Sequence, residues 1–232
     1  DQIVDQAAKI RYMSGGQCQV PLTIRATLGA GRSSAAQHSQ SLHAWTAHIP
    51  GLKVAVPSTP ADAKGLIKSA VRDNNPVIVY EDKMMYALKG IVPEGDYTIP
   101  FGQANVMREG SDVTLIATSS MVHVAMASAE ILDGEGVSAE VVDPRTLVPL
   151  DKEALVASVA KTSRAVIVDE GHRSFGVTAE LASVVTEGAF DYLDAPVARL
   201  GAMDVPVPFS KPLEDVTIPT EQDVVAAVKG MF

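Results

Sequence analysis

A chain of 232 residues, 47% hydrophobic and 20% charged, is long enough for one large buried core or two modest ones. A net charge of −9 without any lysine- or arginine-rich run argues against a nucleic-acid partner, and no apolar run approaches the length of a membrane span. No stretch reads as a secretory leader, and Cys18, the single cysteine, allows no intrachain disulfide, as in a reducing compartment.

In chain order, DQIVDQAAKIRYMSGG reads as a helix already under way, with Ile3, Ala7 and Ile10 at helical spacing and Gly15-Gly16 as its stop. VPLTIRATLG alternates and is rich in β-branched residues, predicting a buried strand over 20–27. The small-residue loop GAGRSSAAQHSQ follows, then a short helix over 41–48 and the strand LKVAVPS. Ser58 or Thr59 can cap a helix from Pro60 to Arg72. PVIVYE then closes a β–α–β unit whose crossover length implies parallel strands. Glycines and prolines between Lys83 and Asn105 read as a linker.

A second block begins near Val106. DVTLIAT is a strand, Val122 to Glu135 a helix, SAEVVDPRTLVPLD a strand followed by a turn, and Lys152 to Lys161 a helix. RAVIVDE is a strand, Val177 to Gly188 a helix, APVARLGA a short strand, and Thr220 starts a terminal helix through Lys229. Strand–helix alternation twice over predicts two α/β domains with largely parallel sheets, at 1–95 and 106–232 with 96–105 as linker.

His38 is the leading chemical candidate. It stands between two glutamines and beside two serines in a glycine-rich loop, where the backbone can approach a ligand and an imidazole can handle protons near neutrality. His43 and His48 fit packing or capping better than chemistry, although His43 could face a cofactor entrance. The three histidines lack the ligand set of a zinc site. Gly29 to Gly31 lacks the third glycine of a dinucleotide loop, and Cys18 has only Arg25 as a nearby cation. Glu81, Asp82 and Lys83 form a charged knot at the C-terminal end of a strand, where α/β sheets place ligands; a surface ion-pair cluster fits equally well. Arg25 and Arg32 flank the loop, either solvated or meeting an acidic group, and Glu170 and His172 end a strand of the second block. Asp73, Asn74 and Asn75 before Pro76 make a helix stop whose unsatisfied carbonyls can also coordinate a cation.

The words QHSQSLHAWTAHIPGLKVAVPSTPADAKGL, KSAVRDNNPVIVYEDK, VDPRTLVPLD, VIVDEG, FGVTAE, FDYLDAPVARL and VPVPFSKPLED occur in that order over essentially the whole chain. Together they resemble the beta subunit of thiamine-diphosphate-dependent 2-oxo acid dehydrogenases, a family that includes pyruvate, branched-chain oxo acid and acetoin dehydrogenases. The resemblance implies a transketolase-like pyrimidine-binding domain, here without its first strands, followed by a transketolase C-terminal domain. In the family the segment before DQIVDQ carries a glutamate that activates the cofactor's aminopyrimidine ring. The histidine of QHSQ, here His38, lies beside the reactive thiazolium. The DNNP word with the preceding strand implies a potassium site at Leu22, Ala70, Val71, Asp73 and Asn75, mostly through main-chain carbonyls. Asp194 of LDAP and the terminal Phe232 match docking positions for the acyltransferase core. Thiamine diphosphate would be shared with an alpha subunit holding the diphosphate and magnesium, since no GDG-like word is present. A second beta subunit and a lipoyl-bearing core complete the implied partners.

The expected activity is cleavage of a 2-oxo acid or acetoin and acyl transfer to lipoyl-lysine, in a bacterial cytoplasm or an organelle matrix. TLGAG and EDK lean toward the acetoin branch, whereas MDVPVPFS and LDAP also suit the pyruvate branch. Half of a split transketolase-like enzyme and a non-catalytic assembly subunit are the rival readings.

Overall fold

The computed structural model describes all 232 residues. Gln2–Ala7 is helical with widened turns and runs into α1 (Ala8–Met13); Gly15 and Gly16, both at positive φ, end it as the sequence predicts. Of this segment only Ala8 is buried. Ile3 and Ile10, at the helical spacing noted above, are exposed because nothing in this chain covers them.

The first sheet holds β1 (Thr23–Leu28), β2 (Lys53–Ala55) and β3 (Val77–Asp82), with β3 central and parallel to both neighbours. The crossover is α3 (Pro60–Val71), opened by Pro60 and capped by the Thr59 hydroxyl, which accepts from the Asp62 N–H. A short helix α2 (His43–Ala47) lies between β1 and β2. Lys83–Ala87 makes one tight turn, and 88–104 contain no helix or strand.

The second sheet runs β4 (Asn105–Arg108), β6 (Ala139–Asp143), β5 (Val113–Ala117), β8 (Ala165–His172), β9 (Ala198–Ala202) in spatial order. Its strands are parallel except β4 at the edge. Helices α4 (Met121–Gly134), α5 (Lys152–Thr162) and α6 (Val177–Ala189) cross between strands. They are followed by a single turn, α7 (Lys211–Glu214), and by α8 (Glu221–Lys229) with a Thr220–Asp223 capping box.

One departure from the sequence reading ties the halves together. The residues after DPR, expected as a turn, form β7 (Thr146–Val148), which pairs antiparallel with β2 and so extends the first sheet. The largest hydrophobic core follows the same logic. Its 18 buried residues include Leu28, Leu52, Val54 and Ile78 from the first half and Ile116, Leu155, Ile167 and Leu181 from the second. This shared packing seats the loop after β1 against the ends of the second-half strands.

Candidate active site

Strands β1 and β3 end in register at Leu28 and Asp82, and the His38 loop leaves the sheet there. Gly29 sits at φ +99°, and a Cβ on it would stand 2.9 Å from both Asp82 Oδ2 and Glu170 Oε2, so only glycine fits. Ser33 and Ala35 also take positive φ, a conformation that L residues adopt at a cost of about 1–3 kcal/mol and that gathers at functional sites. His38 ends the short turn Ala36–His38 with its residue exposed, and its carbonyl accepts from Lys83 Nζ. The Ser39 hydroxyl next to it is buried without a partner.

The charged knot at the end of β3 is divided among three tasks. Glu81 takes Arg25 at two oxygens and the Tyr86 hydroxyl at 3.0 Å; the Arg25 hydrogen bond holds its carboxyl below the usual range. Arg32 stands 6.0 Å above the Tyr86 ring and donates to the Lys83 carbonyl. Lys83 reaches the loop, and Asp82 turns inward, where it accepts from the Met84 N–H and touches Glu170.

Two acids of the second half reach the same loop, and a third reaches the helix that follows it. Glu170, at the end of β8, accepts from the Ala30 N–H, and Glu214 of α7 accepts from Gly31 at 2.8 Å and Ser33 at 2.9 Å. Asp169 meets His43 Nε2 at 2.9 Å, and both residues are 2% exposed. Burial alone would raise the Asp169 carboxyl; the His43 ring, the Thr118 hydroxyl and the Gly171 N–H more than offset it. His43 therefore packs inside, as its structural reading had it, with Nδ1 unpartnered. Sequence reasoning missed Asp169 and Glu214, and it left Glu170 without a role. No local signal marks an acid whose partner lies 126–183 positions away.

A cavity of about 790 Å³ opens beside the loop, lined by Gln37, Ser39 and Gln40 on one side and by His172 and Asp204 on the other. His172 Nδ1 bonds the Met203 carbonyl at 2.7 Å, which leaves Nε2 free. His48 lines a neighbouring groove with Trp45 and Phe175. Cys18 is exposed and free.

The candidate cation ligands cluster at the C-terminal end of α3. The carbonyls of Val71, Asp73 and Asn75 accept no hydrogen bond, and those of Leu22 and Ala70 accept one each. The Asp73 side chain is occupied by Lys53 and the Asn75 amides. Asp194 and Phe232 lie on either side of one arginine. The Arg164 guanidinium stacks on the Phe232 ring at 4.3 Å and stands 3.7 Å from Asp194.

Comparison with known proteins covers both halves. The pattern of the transketolase pyrimidine-binding domain matches residues 3–89, and that of the transketolase C-terminal domain matches residues 102–224. The chain is 50% identical over 226 residues to the beta subunit of acetoin:2,6-dichlorophenolindophenol oxidoreductase of Bacillus subtilis (strain 168), covering 97% of this chain and 66% of that protein. It is 48% identical to a pyruvate dehydrogenase E1 component subunit beta of Rickettsia felis, over 99% of this chain and 70% of that one. It is 46% identical to the mitochondrial pyruvate dehydrogenase E1 subunit beta of Homo sapiens, over 99% of this chain and 65% of that one. The chain thus spans about two thirds of the length of these relatives. Among solved structures, a split-gene transketolase described as an inactive beta4 tetramer superposes with a TM-score of 0.74 at 30% identity, covering 97% of this chain and 72% of that one.

Proposed function

The chain belongs to the transketolase-like family of dehydrogenase E1 beta subunits, and we propose that it serves in a thiamine-diphosphate-dependent component that cleaves pyruvate, a related 2-oxo acid or acetoin and passes the acyl group to lipoyl-lysine. The observation that carries this reading is the end-to-end match. Relatives acting as E1 beta subunits align over 97–99% of the chain, across both sheets and the loop between them.

Thiamine diphosphate, when bound, supplies a carbanion that adds to a carbonyl and makes the adjacent carbon–carbon bond breakable. The residues here suit a partner to that group. An exposed imidazole is carried by a loop of small residues at the C-terminal ends of parallel strands, beside an open cavity. His38 would donate to the substrate oxygen as it gains negative charge, and would hold or release a proton there. The chain carries no GDG-like word followed by an asparagine, so the reading assigns magnesium and the diphosphate to the alpha subunit. The free carbonyls at the end of α3 suit potassium, a cation that carbonyl oxygens alone can hold. Asp194 and Phe232, joined through Arg164, would form the docking patch for the acyltransferase core, with the acid steering a basic module. A bacterial cytoplasm or organelle matrix fits these partners, and no helix is long and apolar enough to cross a membrane.

The test is co-expression of the natural-length protein with its alpha subunit, followed by dye reduction with pyruvate, a branched-chain oxo acid and acetoin. Co-purification and turnover with at least one of them are expected. No turnover with any of the three by the assembled pair would remove the enzyme reading. Moving the pair from potassium to a large organic cation should lower its melting temperature, since the ion stabilises only the folded state; an unchanged melt would count against the ion.

A further inference from the structure

The loop that presents His38 is not held by its own half of the chain alone. Its first amides point into the second half. The Ala30 N–H ends on Glu170, and the Gly31 and Ser33 N–H groups end on the two oxygens of Glu214, a residue with no exposed surface. Five residues beyond His38, the His43 ring ends on Asp169. We propose that Glu170 and Glu214 are positioning residues for His38, a clamp from the second half that is held closed by one proton shared between Glu170 and Asp82. This inference rests on the function proposed above for His38, but its structural arm does not.

The shared proton follows from what surrounds the pair. Asp82 and Glu170 are 2% and 6% exposed, their carboxylate oxygens crowd the same point under Gly29, 2.9 Å from where its Cβ would stand, and neither has a cation within 4 Å. Every nearby charge is committed elsewhere. On β3, Glu81 is paired with Arg25; after it, Lys83 ends on the His38 carbonyl and Arg32 on the Lys83 carbonyl. On β8, Asp169 is paired with His43. On α7, Lys211 serves Asp215 and approaches Glu214 at 4.0 Å. At the start of α4 the facing group is the Ser120 hydroxyl, which donates to Glu170 at 3.1 Å. Two buried carboxylates in contact without a counter-ion cannot both be charged, so one keeps its proton and donates it to the other. Burial first, then Asp82, pushes Glu170 up to about 8. Loss of that proton from Glu170 would set two like charges side by side beneath Gly29, where Asp82 Oδ2 and Glu170 Oε2 crowd the same point.

The test uses the assembled pair with the natural-length chain, and reads amide hydrogen exchange at Ala30, Gly31 and Ser33 between pH 6.5 and 9, corrected for the intrinsic rate. In the wild type, protection of these amides should fall as the pH passes 8. In Glu170→Gln a permanent amide donor replaces the shared proton, so protection should stay level over the same range. Asp82→Asn, whose amide can donate to the Glu170 carboxylate, should give the same level profile and stands in if Glu170→Gln does not fold. Glu214→Gln should lose protection at Gly31 or Ser33 at every pH and lower kcat about ten- to a hundredfold with KM little changed, as a displaced catalytic group does. The alkaline fall in kcat should disappear in Glu170→Gln. Wild-type protection that is level from pH 6.5 to 9, or an equal fall in Glu170→Gln, would overturn the shared proton; wild-type protection and kcat in Glu214→Gln would overturn the clamp. A pair that turns over nothing would defeat the proposed function, while the exchange data would still decide the anchoring.

Discussion

At Asp143 a single buried group shows how the two halves are fastened. Its carboxyl accepts from the Ser58 hydroxyl and from the Arg145 N–H at 2.7 Å; beside it Asp62 is paired with Arg145 at 2.9 Å, and His123 bonds the Ser58 carbonyl. Burial, with the nearby Asp62 charge, pushes Asp143 up to about 7. An unfolded aspartate titrates near 3.9, so between about pH 4 and pH 7 the folded chain holds a proton that the unfolded chain has lost. This group's stabilisation is therefore complete below pH 4 and is lost as pH rises toward 7, by up to about 1.4 kcal/mol per unit. Asp143→Asn should lack that slope in urea titrations from pH 4 to pH 8, and parallel wild-type and variant curves would refute the assignment. What was legible at this scale was local. The QHSQ word singled out His38, the Pro-led helix marked Ser58 or Thr59 as its cap, of which the structure uses Thr59, and Asp73 to Asn75 marked a helix end. Glu170, Glu214, Asp169 and Asp143 gain their meaning from partners brought near only by the folded chain, and sequence spacing carries no trace of that.

Among elements, periodicity carried far. The crossover helix α3, the central strands β3, β5 and β8, and the helices α4 to α6 lie where alternation and 3.6-residue spacing put them, within two residues at most ends. The strand predicted over 20–27 begins only at Thr23, because Pro21 has no N–H to offer a ladder. Two strands escaped. β4 is an antiparallel edge of four residues with a register shift, and β7 has three residues inside what reads as a turn. Both are held by pairing with strands elsewhere, and short strands take their identity from such context more than from propensity. The opening helix forms where its spacing puts it, yet it buries little. Its apolar residues have helical spacing, but burial needs a surface to bury against, and Ile3 and Ile10 have none in this chain.

For the molecule as a whole, two open-sheet units sharing one core make the His38 loop a joint product of both. One half supplies the strand ends and Gly29; the other supplies the acids that take the loop's amides. The resemblance of sequence words reached the fold class without any coordinates, because those words run through both units; the mutual anchoring was out of its reach. If this jointly held loop delivers a working imidazole, His38→Ala in the natural-length chain assembled with its alpha subunit will show it. Turnover should fall by about two orders of magnitude or more, the usual loss for an oxyanion-stabilising or proton-handling group, with the melting temperature unchanged because the ring is exposed. A variant that turns over at the wild-type rate would contradict the claim.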